Sequence, residues 1–268
     1  MLALYITLGV LVALILLYLF LVFPRAKKPE NHELLRDYAH RGLHGNGVPE
    51  NSLAAFDLAA KAGFGIELDV QLSADRVVMV FHDYTLVRMT GVERKVCELT
   101  AEELGALSLN GTEEKIPTFR EVLSLINGRV PILIELKGEA TDTTLCAYVA
   151  ECLATYTGPY CIESFNPLLL HKMRKHLPNA YYGLLYTNAC REKKKYSLVN
   201  ILVTCMLLNV FARPNFIAYS KKYRRALPVL LTAGLFRAPR FVWTVNTPEQ
   251  LNEAHARGEF PIFEHCGR

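Results

Sequence analysis

The chain has 268 residues, 51% of them hydrophobic, and a formal net charge of +4. That length fills one sizeable core and is too short for two large domains. The mild charge excludes the basic face of a nucleic-acid binder, so no nucleic-acid partner is expected, and nothing in the composition demands an obligate protein partner.

Leu2 to Phe23 carries no charged residue. At about 1.5 Å per helical residue, such a run crosses a hydrocarbon core of roughly 30 Å. Pro24 ends it, and Arg25, Lys27 and Lys28 follow. A cleaved signal peptide is the competing reading. The missing basic n-region, the long apolar run and the lack of a small-x-small site argue against it. Basic residues lie only on the C-terminal flank, so the positive-inside tendency puts the body of this single-pass protein in the cytoplasm. Seven cysteines without a C-x-x-C pair agree with a reducing compartment.

After a basic linker, strand-like and helix-like patterns alternate to the end. The expected strands are Tyr38–Gly42, Gly65–Ser73, Val77–Asp83, Pro131–Lys137, Tyr160–Phe165, Ala180–Tyr186, Phe216–Ser220, Phe241–Val245 and Phe260–His265. The expected helices include Ser52–Ala62, Ala101–Leu107, Thr118–Ile126, Asp142–Thr155, Pro167–His176 and Pro248–Ala256. Asn51 or Ser52, Thr118 and Thr247 are candidate N-caps, and Pro248 suits a first helical position. Only Ala74-Asp75-Arg76 separates the second and third strands, which leaves no room for a crossover helix. Those two must form an antiparallel hairpin. Setting its second member aside leaves the eight strands of a (β/α)₈ TIM barrel. A doubly wound sheet is the alternative, but the Gly-rich phosphate turn after the first strand is missing. Ser197–Ala212 is apolar nearly all round and lies between the basic runs Arg191–Lys195 and Lys221–Arg225. It reads either as a buried barrel helix or as a segment on the membrane surface.

Period-two alternation in Gly65–Ser73 sends Ile66, Leu68, Val70 and Leu72 to one face and Glu67, Asp69 and Gln71 to the other. On a barrel strand the apolar face meets the outer helices, so the carboxylates point inward, where unpaired charge is costly. A hard divalent cation or a neighbouring basic residue relieves that cost. In Pro131–Lys137, Glu135 and Lys137 share a face. Glu135 completes a three-carboxylate set and Lys137 reaches a phosphate, or the two simply pair. A hairpin turning at Ala74-Asp75 sets residue 73 against 76 and 67 against 82, which brings His82 to Glu67; a one-residue slip would flip that face. His40, Arg41 and Gly42 follow the first strand, at the end where barrel enzymes keep their chemistry. Arg41 offers a planar fork to phosphate oxygens. Glu50 and Asn51 open a helix, as caps or as site residues.

The ordered set His40-Arg41-Gly42, Pro49-Glu50-Asn51-Ser52, Glu67-Leu68-Asp69-Val70, Phe81-His82-Asp83, Glu135-Leu136-Lys137, Ser164-Phe165-Asn166 and Trp243-Thr244-Val245-Asn246 resembles the glycerophosphodiester phosphodiesterase family from about Tyr38 onward. The resemblance implies a TIM barrel with an extra hairpin strand that hydrolyses glycerophosphodiesters to glycerol 3-phosphate and an alcohol. It implies that His40 and His82 are the general acid and base. It makes Glu67, Asp69 and Glu135 the ligands of one divalent metal ion, Mg²⁺, Ca²⁺ or Mn²⁺. Arg41 and Lys137 then bind phosphate, and Trp243 lines the substrate pocket. At the last strand the family's Thr-Asp pair is replaced by Phe263-Glu264, with Glu264 the candidate substitute. The expected layout is a transmembrane anchor over 1–23, a basic linker over 24–36 and the phosphodiesterase barrel over 37–268. The anchor raises a second substrate class, membrane lysophospholipids cleaved in lysophospholipase D fashion. A non-catalytic phospho-ligand barrel and a phospholipase C releasing a cyclic phosphate are more distant readings.

Overall fold

A computed structural model describes residues 1–138 and 142–266, so 139–141, Gly267 and Arg268 of the expected barrel domain lie outside the described residues. Nine strands form one sheet: β1 (Tyr38–Ala39), β2 (Gly65–Leu72), β3 (Val78–Val80), β4 (Ile132–Leu136), β5 (Tyr160–Ser164), β6 (Tyr181–Tyr186), β7 (Phe216–Ser220), β8 (Arg240–Val245) and β9 (Phe260–Phe263). The order is β1-β9-β8-β7-β6-β5-β4-β2-β3, and a further β1–β2 pairing closes it. All pairings except β2–β3 are parallel, so eight strands make the barrel and β3 hangs on β2 as a hairpin. The TIM barrel with its extra strand is therefore as the sequence predicts.

Strand parity sorts the side chains into two cores. Outward positions such as Ile66, Leu68, Val70, Ile132 and Ile134 pack against helices such as Leu53–Lys61 and Phe119–Ile126. Inward positions at the lower end form a mostly aromatic floor of Tyr38, Leu133, Tyr181, Phe216 and Phe241. The Phe216 and Phe241 rings lie 4.5 Å apart, and Tyr181 stacks on Phe216 at 5.2 Å. The predicted starts hold: Ser52, Thr118 and Thr247 each accept a backbone N–H, and Pro248 opens its helix.

Two expectations need correction. The hairpin register is shifted by one residue: Val70 opposes Val80 and Leu72 opposes Val78. The turn is longer than supposed, because Ser73 bonds Val77 through both N–H and hydroxyl while Arg76 takes a positive φ. His82 escapes the face flip because it lies one residue beyond the hairpin's last backbone bond, from the Phe81 N–H to the Asp69 carbonyl. Second, Ser197–Ala212 is not one buried helix. It breaks into Leu198–Thr204 and Asn209–Ala212, and in the first piece only Asn200 is buried.

The helix Leu2–Val22 is long and apolar enough to cross a membrane, and only its last residue is buried. Its end docks on the barrel wall. Asn209 Nδ2 donates to the Val22 carbonyl (3.2 Å), and Arg213 Nη1 donates to the carbonyls of Phe20 and Phe23 (3.0 and 2.8 Å).

The floor leaves no spare volume. A Cβ on Gly183 would sit 2.1 Å from the Phe216 ring. Gly183→Ala is expected to cost about 1–3 kcal/mol by overpacking. Urea unfolding checks this, and an unchanged midpoint would contradict the packing described.

Candidate active site

The site grows from the upper, inward positions of β2, β4 and β5. Glu67 and Asp69 on β2 and Glu135 on β4 each offer an oxygen, all within 4.8 Å of one another, and all three residues are buried. Asp69 and Glu135 are register partners, and Glu135 is in turn the partner of Glu163 on β5. Asp69, Glu135 and Glu163 thus share one level above the aromatic floor, and Glu67 reaches up to them from the level of Leu133. Burial first, then the charges of Asp69 and Glu135, hold the Glu67 carboxyl well above the usual range. Burial likewise pushes Glu135 up to about 7. Asp69 is the exception. Burial opposes its charge, yet Lys137, His82 and Arg41 hold it well below the usual range.

The counter-charges come from the strand ends. Lys137 Nζ lies 2.7 Å from Glu135 and 2.9 Å from Asp69, so the expected local Glu–Lys pair forms and extends to β2. The Arg41 N–H donates to Glu67 (2.9 Å), and its guanidinium lies 3.4 Å from Asp69. Asn51 does not cap the following helix, since Ser52 does; its Nδ2 donates to Asp69 at 2.9 Å. Glu50 accepts from Arg41 Nη1 (2.8 Å) and from Arg88 (2.7 and 2.9 Å). An all-oxygen, all-carboxylate set with net negative charge suits a hard divalent cation, so the residues present fit such an ion.

Both histidines have one nitrogen tied to a carboxylate. His40 Nδ1 lies 2.5 Å from Glu264, and His82 Nδ1 lies 2.6 Å from Asp83. Asp83 also accepts from Arg88 Nε at 2.6 Å. Burial is the first cause lowering both imidazole pKa values. A hydrogen bond at Nδ1 leaves Nε2 for the pocket. Both histidines, Arg41, Glu67, Glu135 and Trp243 line one cavity of about 170 Å³. Its apolar wall includes Trp243 edge-on to Phe165, with ring centroids 5.6 Å apart. A larger hollow of about 680 Å³ lies beneath the barrel, lined by residues such as Arg25 and Arg174, and no histidine lines it.

The glycerophosphoryl diester phosphodiesterase family model matches residues 40–263, nearly the whole barrel. The chain belongs to that family. It is an enzyme of the glycerophosphodiester phosphodiesterase class. YhdW of Bacillus subtilis is 29% identical over 238 residues, covering 82% of this chain and 90% of that protein. Bovine glycerophosphodiester phosphodiesterase 1 is 35% identical over 161 residues, covering 55% of this chain and 48% of its own length, so this alignment spans about half of that relative. The structure of an Oleispira antarctica phosphodiesterase, solved with the product sn-glycerol-3-phosphate, shares the fold at TM-score 0.70 and 24% identity, over 86% of this chain and 93% of that one.

Sequence reasoning missed two neighbours of the site, Glu163 and Arg88. Cys161-Ile162-Glu163 gives Glu163 the inward parity of Glu135. Arg88, which joins Glu50 to Asp83 of the Phe81-His82-Asp83 motif, carries no signal in the pattern.

Because Arg41 and Glu50 are each largely buried, Glu50→Ala leaves a buried guanidinium short of a partner. A loss of about 2 kcal/mol in chemical unfolding is expected. An unchanged unfolding free energy would show that Asp69 alone suffices for Arg41.

Proposed function

We propose that the chain is a membrane-anchored, metal-dependent hydrolase of glycerophosphodiesters, yielding glycerol 3-phosphate and an alcohol. The observation that carries this reading is that two carboxylate-tethered histidines line one cavity with Glu67 and Glu135 of the three-carboxylate cluster. Glu67, Asp69 and Glu135 would hold one Mg²⁺, Ca²⁺ or Mn²⁺. When bound, a divalent ion supplies Lewis-acid stabilisation of charge on a phosphoryl oxygen. Arg41 and Lys137 supply the remaining positive charge to the phosphate. Glu50 holds the Arg41 fork in position rather than meeting substrate itself.

The glycerol 2-hydroxyl is a nucleophile already attached to the substrate, so its attack on phosphorus gains from proximity. One histidine takes the hydroxyl proton at Nε2 as the P–O bond forms. The other gives a proton to the departing alcohol oxygen as the second P–O bond breaks. Water then opens the cyclic phosphate, with the histidines in exchanged roles. Glu264 and Asp83 fix ring orientation and stabilise each imidazolium as it forms. Trp243 and Phe165 offer an apolar wall to the carbon skeleton.

The tether is read from Leu2–Val22, with a linker to residue 36 and the barrel from 37. The hydrogen bonds from Asn209 and Arg213 to the end of that helix support an uncleaved anchor, because removal of the helix would strip them. The basic flank Arg25, Lys27 and Lys28 supports a cytoplasmic barrel. A lysophospholipid is the second substrate class, favoured by the large apolar side chains left exposed around the anchor.

His40→Ala and His82→Ala are each expected to lower kcat/KM for glycerophosphocholine by at least about 10²-fold while circular dichroism stays unchanged. Parental activity in both variants would remove the acid–base pair. A divalent ion at 100 times its Kd is expected to stabilise the protein by about 2.7 kcal/mol. Asp69→Asn should abolish that thermal shift, and an equal shift in the variant would rule out the carboxylate cluster as the binding site.

A further inference from the structure

The direction of the N-terminal helix relative to the barrel follows from its contacts. The Tyr18 hydroxyl donates to the Cys205 carbonyl at 3.4 Å, Val22 meets Asn209, Phe23 meets Arg213, and the Arg25 N–H donates to the Pro214 carbonyl at 2.8 Å. These partners run in order toward Phe216, the first residue of β7. The helix therefore ends toward the lower rim of the barrel. Its Tyr18 level lies near the upper rim, because the Thr204 carbonyl beside it accepts from the hydroxyl of Tyr186, the last residue of β6. Residues 2–17, all exposed, then project beyond the rim that carries the catalytic cavity. At about 1.5 Å per residue, that projection is roughly 24 Å.

Two further segments leave the same rim beside this helix. The segment after β6 exposes Leu198 (72%) and Val199 (63%), and the segment after β7 exposes Leu227 (59%) and Leu230 (52%). Apolar side chains so open to solvent on two neighbouring segments form a patch rather than scattered surface residues. Exposed basic residues edge it, Lys193, Lys194 and Lys195 on one segment and Lys222 and Arg225 on the other. Between the two segments lies a cavity of about 360 Å³ lined in part by Glu192, Lys222, Trp243 and Thr244. Trp243 and Thr244 also line the catalytic cavity, so the two hollows adjoin.

We propose that this rim is a bilayer-docking surface. Its apolar side chains enter the interface of an anionic membrane around the anchor, and the catalytic mouth faces the headgroups. The occupant is fixed by continuity with the anchor helix and by the basic edge, which complements anionic lipid. A helix leaving from the lower rim would instead turn the mouth toward water. The docking geometry does not depend on the proposed reaction.

The test uses full-length protein in nanodiscs of phosphatidylcholine and phosphatidylserine. A fluorescent, environment-sensitive amino acid replaces Leu198, Leu230 or, as a control on the opposite wall, Lys61. Lipid carrying a nitroxide on its acyl chain is then titrated in. Emission at both rim positions is expected to fall at least twofold, against no change at Lys61. Quenching no greater than at Lys61 at either rim position overturns the proposal. The readout needs no turnover, so it fails or succeeds separately from the proposed reaction.

Discussion

Four carboxylates are buried together inside the barrel, and their charge dictates what surrounds them. Glu67, Asp69, Glu135 and Glu163 are each 7% exposed or less, above a floor sealed by aromatic rings. Water does not reach them from below, so their mutual repulsion is poorly screened. Among the described residues, only Arg41 and Lys137 bring fixed positive charge to them, while Asn51 and the Arg41 backbone add hydrogen bonds. Glu163 Oε2 has no hydrogen-bond partner among the described residues. A cluster with more acid than base is an unstable arrangement for a purely structural core and a favourable one for a cation and a phosphoryl group.

The residues that hold Arg41 and the two histidines are themselves linked by charge. A chain of contacts runs from Arg41 through Glu50, Arg88 and Asp83 to His82. It joins the Arg41 fork to one of the two histidines, so both are oriented by one network. The other histidine is oriented across the barrel closure, where Glu264 after β9 meets His40 after β1. Asn246 Nδ2 donates to the second oxygen of Glu264 at 3.2 Å, which anchors that carboxylate in turn. The glutamate standing where the family carries Thr-Asp therefore has a definite structural partner.

Much of this was legible in the sequence because it is local. Period-two alternation gave the inward faces of β2 and β4, a three-residue gap forced the hairpin, and cap residues placed helix starts within a residue or two. Features that depend on tertiary closure were not legible. Glu264 and His40 are 224 residues apart, and nothing in either motif announces the other. The hairpin register turned on how Ser73 and Arg76 close their turn, a choice the spacing alone leaves open. Ser197–Ala212 misled because an all-round apolar pattern fits a buried helix and a membrane-facing one equally. Only the folded chain decides between them, since in Leu198–Thr204 Asn200 alone is buried.

The central claim, that this acid-lined cavity cleaves a glycerophosphodiester with a divalent ion and two histidines, is tested most directly by following the phosphorus. Full-length enzyme stripped by chelator and re-supplied with Mg²⁺, Ca²⁺ or Mn²⁺ would be incubated with glycerophosphocholine and with lysophosphatidylcholine, and the products read by phosphorus NMR. The account predicts no turnover when stripped. On restoring the metal it predicts a phosphomonoester, glycerol 3-phosphate from the first substrate or its acylated form from the second. Turnover without metal, or choline phosphate as the product, would contradict it.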